Sequence, residues 1–318
     1  MATYSGRSCK SPSLTGKSSW LESTDEYLDN KAINKKQKPD SNTAERQMTS
    51  QDVPTGMKKE ITKGERNMGK FENKVAVVTG AAHGIGKQIA LQMAQEGANT
   101  VIVDYNPQTG AATAAEITET TGNKAIFAQA NVASLENMMQ VREQVFAEFG
   151  RVDILVLNAG IAFKGTMNDF TLDDWNRLIG INLTGLYTTV KAFYNDFLTN
   201  NGSIVYISSG SAMSGTGGAV AYPAAKAGGE GLIRGLAKEL GPKGVNVNAI
   251  APRLIDTGDM MRVNYPTQEA LDNVLNKIPV RRFGTVEDVA NLAVFLADKA
   301  NSYIQGQTIL LDGGRTIA

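Results

Sequence analysis

The chain has 318 residues, and its 32 basic side chains balance 32 acidic ones. A single Cys excludes an intramolecular disulfide and a single His excludes a zinc site built on two imidazoles, so we expect no metal and acid–base chemistry based on carboxylates, Tyr or Lys. Without a net charge the chain lacks the strong field that draws proteins onto nucleic acid or an anionic membrane, and we expect neither as a partner.

Residues 1–70 differ in composition from the rest of the chain. Apolar residues make up about 24% of this segment and about 47% of the remainder, which predicts a disordered extension followed by one globular domain over residues 71–318. The extension is rich in Ser and Thr, so an organellar transit peptide is an alternative, and translation from Met68 is another. Since no apolar run is long enough to span a bilayer, we expect a cytoplasmic protein.

From Lys74 onward, short apolar runs alternate with segments whose apolar residues recur every three or four positions. This alternation is typical of βαβ units and predicts a single-domain α/β fold with a doubly wound parallel sheet of seven strands. In such sheets ligands bind outside the carboxyl ends of the strands. The seven predicted strands are Val75–Thr79, Thr100–Val103, Ala125–Gln129, Ile154–Leu157, Ser203–Ile207, Val245–Ile250 and Thr308–Leu311.

The first strand runs into a glycine-rich turn that precedes a helix-compatible segment, Lys87–Gln95. Glycines in such a turn let the backbone approach a pyrophosphate, whose charge then faces the N-terminus of the helix. A turn without a ligand is the alternative for a glycine triplet alone. The loop residues that we expect to bind the cofactor are Gly80, His83, Gly84, Ile85 and Gly86.

Asp104 stands at the end of the second strand. A carboxylate there can accept hydrogen bonds from the adenosine ribose hydroxyls and would repel a 2′-phosphate, which predicts NAD rather than NADP as the cofactor. The alternative is a turn residue before the helix start at Asn106 and Pro107. Asn106 can cap that helix by itself, which would leave Asp104 free for the ribose.

Tyr222 and Lys226 are four residues apart, so on a helix their side chains share one face. An adjacent ammonium and an oxidised nicotinamide would both favour the phenolate and lower the pKa of the Tyr222 phenol. Such pairs are common on helices, and this one gains meaning from Ser209, which follows the fifth predicted strand.

These motifs, in their order and separations, resemble those of the short-chain dehydrogenase/reductase family, in its single-domain branch, over about residues 71–316. The resemblance implies a Rossmann fold and a homotetramer or homodimer, with contacts from residues 171–198 and 222–240 and from the Gln307–Gly314 segment. Besides the glycine loop, Ser209, Tyr222 and Lys226, the matching residues are Asn158, Ala159, Gly160 and Asn182.

The resemblance also implies a role for each catalytic residue. Tyr222 would be the general acid/base, and Lys226 would lower its pKa and bind the nicotinamide ribose. Ser209 would hydrogen-bond the reacting oxygen, and Asn182 would help to hold a proton-relay water. The cofactor contacts implied in the same way are Asn131 and Val132 at the adenine, Asn158, Ala159 and Gly160 along the cleft, Tyr222 and Lys226 themselves, and Ile255 and Thr257 at the nicotinamide carboxamide.

Arg253 departs from the family pattern, which has Gly after Pro252. The loop must therefore adopt a backbone conformation that tolerates a side chain. A guanidinium at this end of the cleft could pair with a carboxylate or phosphate on the substrate. The alternative is that Arg253 points to solvent or pairs with Asp256 or Asp259.

We therefore expect an oxidoreductase that transfers a hydride between NAD(H) and a small-molecule secondary alcohol or ketone. The subgroups that it resembles are 3-oxoacyl carrier-protein reductases and polyol dehydrogenases. A nucleotide-sugar epimerase or dehydratase and a non-catalytic NAD-binding regulator are the alternatives. The first usually has a differently spaced glycine loop, and the second has no physical need for Ser209, Tyr222 and Lys226 together. The substrate and the physiological direction are left open by the sequence.

Overall fold

The computed structural model describes residues 69–258 and 264–316. The predictions for residues 1–68, namely the disordered extension, the transit peptide and a start at Met68, lie outside these residues. The strands are β1 Val75–Thr79, β2 Asn99–Asp104, β3 Ala125–Gln129, β4 Ile154–Leu157, β5 Ser203–Ile207, β6 Asn246–Pro252, β7 Ile255–Asp256, β8 Gly284–Thr285 and β9 Thr308–Leu311.

The helices alternate with the strands along the chain. A π-helical turn, Gly180–Thr184, joins α4 directly to α5. No helix in the described ranges is long and apolar enough to cross a membrane. The helices are α1 Gly84–Gln95, α2 Pro107–Thr121, α3 Leu135–Phe149, α4 Leu172–Ile179, α5 Gly185–Asn200, α6 Ser211–Ser214, α7 Ala221–Leu240, α8 Gln268–Leu275 and α9 Val286–Ala297.

Seven parallel strands form one sheet in the order β3-β2-β1-β4-β5-β6-β9, which confirms the predicted doubly wound parallel sheet. Helices α3, α5 and α7 cover one face, and α1, α2 and α9 cover the other. Alternate residues of each strand therefore enter different cores: Val75 and Val77 face the first, and Ala76 and Val78 face the second. Burial on both faces is the reason that the strands read as continuous apolar runs.

Five of the seven predicted strands have the bounds that the apolar runs indicated, and two differ. Strand β2 reaches Asp104 because it pairs with β3 as far as Gln129, and β6 reaches Pro252 because Pro252 pairs with Leu311 on β9. The two-residue pair of β7 and β8 was not predicted, since such short strands leave no pattern in a sequence. The sheet order reverses between β1 and β4, which opens a crevice at their carboxyl ends.

Candidate active site

A cleft of about 1440 Å³ lies at the carboxyl ends of the strands. Every residue predicted for the site lines this cleft except Gly86 and Asn182, which lie behind its wall. The glycine loop follows β1 and Asp104 ends β2, whereas Ser209 follows β5 and both Tyr222 and Lys226 lie on α7. The fold thus brings together residues that are more than 140 positions apart in the chain.

The glycine loop presents an open backbone to the cleft. Gly84 has a φ of +58°, and a Cβ there would meet nothing within 4 Å, so the face of the loop is unobstructed. Gly86 is constrained differently, because a Cβ there would lie 2.3 Å from the carbonyl oxygen of Gly80. His83 precedes α1 in an extended conformation and its side chain does not cap the helix. The first N–H groups of α1 therefore have no partner within the helix and can receive a phosphate.

Asn158 holds this loop in place. Its Nδ2 donates hydrogen bonds to the carbonyl oxygens of Thr79 and Gly80, at 3.0 and 2.9 Å. The Thr79 hydroxyl in turn accepts hydrogen bonds from the backbone N–H groups of Asn158 and Ala159. Asn158 was predicted to line a cofactor cleft, and it lines the cleft at the strand ends. Its amide also fastens the end of β1 to the end of β4.

Asp104 is oriented by two backbone groups. Its Oδ2 accepts a hydrogen bond from the N–H of Ala82 at 3.0 Å, and its Oδ1 accepts one from the N–H of Asn106 at 3.1 Å. Asn106 caps α2 as predicted. We expected this capping to leave Asp104 free of local contacts, but Asp104 makes these two hydrogen bonds. A carboxylate has about four acceptor positions, so two remain for a ribose.

The other predicted cofactor contacts lie along the same cleft. Val132 is buried, whereas Asn131 is exposed and its Oδ1 accepts a hydrogen bond from the N–H of Ala133. At the opposite end, Ile255 belongs to the short strand β7, and Thr257 follows that strand. Both of these regions therefore adjoin the space that a dinucleotide would need.

Tyr222 and Lys226 occupy the first two turns of α7. The Lys226 side chain is 4% exposed, its Nζ donates a hydrogen bond to the carbonyl oxygen of Ile207 at 2.8 Å, and it lies 5.7 Å from the centre of the Tyr222 ring. Burial lowers the pKa of Lys226 to about 8, because an ammonium is poorly solvated in the protein interior. The lysine can thus change protonation state near neutral pH.

The phenol of Tyr222 behaves differently from the expectation. Burial raises its pKa above the usual value, and the Ser209 hydroxyl, which stabilises the phenolate, only partly opposes this. In the chain without cofactor, the pKa of the Tyr222 phenol is therefore not lowered as we predicted from the neighbouring Lys226. The loss of solvent around the phenolate has the larger effect.

Ser209 and Ser208 have different environments. The Ser209 hydroxyl accepts a hydrogen bond from the N–H of Ser211 and donates one to the Ser211 hydroxyl, at the edge of the cleft. Ser208 is buried, and its hydroxyl donates to Oε1 of Glu230 at 2.8 Å. Glu230 was not predicted, because a lone glutamate on a helix is usually solvated.

Asn182 is fully buried in the π-helical turn. Its Oδ1 accepts from the N–H of Ile161, and its Nδ2 donates to the carbonyl oxygen of Ile161, both at 2.7 Å. A Cβ on the neighbouring Gly160 would lie 3.2 Å from this Oδ1 and 3.7 Å from Nζ of Lys226. The side chain of Asn182 thus fixes the segment that follows Gly160 along the wall of the cleft.

The loop after β6 accommodates the Arg253 side chain, as predicted. The left-handed residue is Leu254, with a φ of +59°, and not Arg253. Arg253 continues the sheet instead, because its N–H donates to the carbonyl oxygen of Leu311 at 3.0 Å. Its Nη1 donates to the Thr316 hydroxyl at 3.1 Å, it makes no ion pair with Asp256, and Asp259 lies outside the described residues.

The cleft also contains residues that the sequence did not predict, among them Arg177, Tyr265 and Arg315. Arg177 is on α4, and Tyr265 stacks on Phe283 with ring centres 5.8 Å apart. Arg315 follows the last strand. None of them belongs to a motif, and only the folding of separate segments over the strand ends places them at the cleft.

Comparison with known proteins gives consistent relatives. A family model described as "Enoyl-(Acyl carrier protein) reductase" matches residues 80–316. The 3-oxoacyl-[acyl-carrier-protein] reductase of Synechocystis sp. is 41% identical over 245 residues, which cover 76% of this chain and 96% of the relative. The (2S)-[(R)-hydroxy(phenyl)methyl]succinyl-CoA dehydrogenase subunit BbsD of Thauera aromatica is 36% identical over 248 residues, covering 78% and 98%.

A solved structure shows the same likeness in three dimensions. The crystal structure of levodione reductase matches with a TM-score of 0.74 and 28% identity, over 78% of this chain and 99% of that one. The similarity therefore extends over almost the entire length of each relative.

A first prediction tests the contact between Asn158 and the glycine loop. Asn158→Asp replaces an amide donor by a carboxylate facing two carbonyl oxygens, so the affinity for a nicotinamide dinucleotide should fall about tenfold or more. Asn123→Asp is the matched control, since Nδ2 of Asn123 donates to the carbonyl oxygen of Ala94 at the opposite end of α1. Titration calorimetry should find its affinity close to that of the native chain, and equal losses in both variants would contradict the assignment.

A second prediction concerns pH. Because the pKa of Lys226 is about 8 in the folded chain and its usual value is 10.5, the unfolded chain binds more protons between these values, and raising the pH favours folding. Relative to Lys226→Met, the free energy of unfolding should rise by up to about 3 kcal/mol across this window. Denaturant titrations at pH 7, 8.5 and 10 without cofactor measure it, and a constant difference would show that the lysine is not perturbed.

Proposed function

We propose that this chain, which belongs to the short-chain dehydrogenase/reductase family, is an NAD-dependent dehydrogenase that interconverts a secondary alcohol and its ketone. As a member of that family it is an oxidoreductase that binds a nicotinamide cofactor. The observation that carries the proposal is the placement of Ser209, Tyr222 and Lys226 at one end of a cleft whose other end is formed by the open glycine loop.

The residues present fit a dinucleotide. The N–H groups at the start of α1 suit a pyrophosphate, the two remaining acceptor positions of Asp104 suit a ribose, and the space beyond Gly84 is open. Bound there, the nicotinamide supplies the hydride acceptor for oxidation or the hydride donor for reduction.

In the proposed oxidation, the phenolate oxygen of Tyr222 takes the hydroxyl proton of the substrate as the hydride leaves the adjacent carbon. The Ser209 hydroxyl donates a hydrogen bond to the substrate oxygen and holds it at a fixed position. The Nζ of Lys226, anchored on the Ile207 carbonyl, places a positive charge beside the phenol. Reduction is the same sequence reversed, with Tyr222 giving the proton.

Charge explains why the cofactor must be present for this chemistry. Burial raises the pKa of Tyr222 and lowers that of Lys226, so in the chain by itself the charged form of each group is less stable than it is in water. A bound oxidised nicotinamide would supply a further positive charge, which would favour the phenolate of Tyr222. Proton transfer is thereby coupled to the binding of the oxidised cofactor.

The names of the relatives favour a ketone close to an acyl group as the first substrate to test. Two of them are named for acyl carrier protein or coenzyme A derivatives, and the third is named levodione reductase. We therefore infer that a 3-oxoacyl thioester is the starting compound, followed by polyols. Tight NAD binding without turnover of any of these compounds would favour the non-catalytic regulator instead.

The catalytic role of Tyr222 gives a third prediction. Tyr222→Phe keeps the ring and removes the proton-transfer hydroxyl, so kcat should fall by about 100-fold or more while NAD affinity remains near that of the native chain. Tyr265→Phe removes a hydroxyl from the same cleft without touching the proposed proton path, and should retain most of the turnover. Steady-state kinetics and NAD titration of both variants distinguish the roles; substantial turnover in Tyr222→Phe would remove the residue from the mechanism.

The choice of NAD gives a fourth prediction. In the native chain kcat/KM should be higher with NAD than with NADP, because the Asp104 carboxylate would repel a 2′-phosphate. Asp104→Asn removes the charge at nearly constant size and should reduce this preference by about 10- to 100-fold. Glu119→Gln, an exposed charge on α2 outside the cleft, is the control. A native preference for NADP would refute the assignment of Asp104.

Assembly of identical subunits belongs to the same proposal. On α7, a Cβ on Gly231 or Gly235 would meet nothing within 4 Å, so both glycines face outward, whereas Gly229 packs against Tyr206 inside the subunit. On α5, Tyr187 is 53% exposed. Small residues on one helix and a large apolar side chain on another form a surface suited to close helix contact.

A fifth prediction tests this assembly. Light scattering at micromolar concentration should find a homodimer or homotetramer, and Gly235→Arg should increase the monomer fraction by placing a large charge in the contact. Ala111→Arg, on the exposed face of α2, is the control and should leave the assembly intact. A native chain that is monomeric under these conditions would rule the assembly out.

A further inference from the structure

A second cavity, of about 700 Å³, adjoins the active-site cleft. Arg253 and Arg315 line both cavities, so the two share part of one wall. The other residues that line the second cavity are Asn276, Lys277, Pro279 and Arg281. Four of these six side chains are cationic and none is acidic. We call this cavity, by its four cations Arg253, Lys277, Arg281 and Arg315, the cationic pocket.

The positive charges of the pocket are not balanced by acidic partners among the described residues. None of the four cations lies within 4.0 Å of a carboxylate in that part of the chain, whereas Arg282, next to Arg281, pairs with Asp288. The Nη1 of Arg315 is buried and has no hydrogen-bond partner among the described atoms. A buried donor without an acceptor is costly, which makes an anionic ligand the natural complement.

Asp312 is close enough to Arg253 to feel its charge, and its carboxylate is already engaged by backbone groups. Its Oδ1 accepts from the N–H of Gly314 and its Oδ2 from the N–H of Thr316, at 2.9 and 2.7 Å. Burial acts to raise the pKa of Asp312, but these hydrogen bonds and the nearby charge of Arg253 together lower it. The carboxylate stabilises the C-terminal turn and leaves the guanidinium groups of Arg253 and Arg315 without an ion pair.

Arg281 is held at the pocket by its backbone and its side chain. Its φ is +57°, in the left-handed region that favours glycine, so this position does not select for an arginine on conformational grounds. Its Nη1 donates a hydrogen bond to Oδ1 of Asn276 at 3.2 Å. Asn276 also lines the pocket. Arg281 thus keeps a cationic side chain at the wall of the pocket in spite of an unfavourable backbone conformation.

We propose that the cationic pocket binds an oxyanion carried by the substrate, with a phosphate monoester as the best match to four cations. Guanidinium groups bind such oxyanions through paired N–H donors in a planar fork. Because Arg253 and Arg315 line the active-site cleft as well, a substrate anchored by its anionic group in the pocket extends into the cleft that contains Tyr222. This assignment rests on the proposed function and narrows its substrate to an anionic alcohol or ketone.

The first experiment measures anion binding without turnover. Inorganic phosphate is titrated at constant ionic strength by calorimetry, in the presence of saturating NAD so that the glycine loop is not available to it. Native protein should bind phosphate, and Arg281→Gly and Arg315→Gln should each weaken the binding at least fivefold. Lys243→Gln removes an exposed charge elsewhere and should match the native protein. Equal phosphate affinity in all four proteins would overturn the proposal.

The second experiment decides whether the anion belongs to the substrate. NADH-coupled reduction of dihydroxyacetone phosphate and dihydroxyacetone, and of fructose 6-phosphate and fructose, gives two matched pairs. Native protein should have a KM at least tenfold lower for the phosphorylated member, and Arg281→Gly should reduce that ratio at least fivefold; Lys243→Gln should keep it. Equal KM values within each pair, with phosphate still bound, would identify a site for a free anion and overturn the substrate assignment.

The proposed function can fail separately from anion binding. Absence of turnover on both pairs and on 3-oxoacyl thioesters and polyols, while NAD and phosphate both bind, would overturn the dehydrogenase and with it the substrate assignment. Turnover of neutral ketones alone, with no phosphate binding, would support the dehydrogenase and reject the cationic pocket.

Discussion

The hydrogen bonds between Thr79 and Asn158 fasten the end of β1 to the end of β4, and the rest of the site depends on them. Here the strand order reverses and the crevice opens. The Asn158 amide holds the carbonyl oxygens of Thr79 and Gly80, which would otherwise face an open cleft without donors. The N–H groups of Gly80, Ala81 and Ala82 are bonded to Val103 and Asp104, so the uncapped N–H groups at the start of α1 are the ones that suit an anion. The proposed cofactor site is therefore formed where two strands meet, and not by the glycine loop alone.

The opposite end of the cleft is organised around a buried cation. Lys226 is almost completely enclosed, and in the described chain it has no acidic partner and donates instead to the Ile207 carbonyl. Burial without a counter-charge lowers the pKa of Lys226, and burial raises the pKa of Tyr222. Both pKa shifts arise because the charged forms of these acid–base groups are poorly solvated in the protein interior. Both respond strongly to any charge that a bound cofactor brings, because the enclosed site screens charge poorly.

Charge also differs along the cleft, which gives a substrate and a cofactor different ends to occupy. Among the described residues of the lining Asp104 is the one acidic residue, and it lies at the glycine-loop end. Arg253 and Arg315 lie at the other end, beside a second cavity with further cations. A dinucleotide that offers ribose hydroxyls to a carboxylate and a substrate that offers an anion to guanidinium groups would each find its complement. The two ends thus separate the ligands by electrostatics as well as by shape.

The sequence by itself determined the alternation of strands and helices along the chain, the position of the glycine loop and the spacing of Tyr222 and Lys226. These features are local: apolar runs, a turn that needs glycine, and one helical turn are all properties of neighbouring residues. Only the tertiary structure decided what those residues do to each other. The raised pKa of Tyr222, the double anchoring of Asp104 and the convergence of Arg253, Arg281 and Arg315 all depend on burial and on contacts between distant segments. Solvent exclusion and charge interactions between distant residues are set by tertiary packing, so they cannot be derived from local sequence patterns.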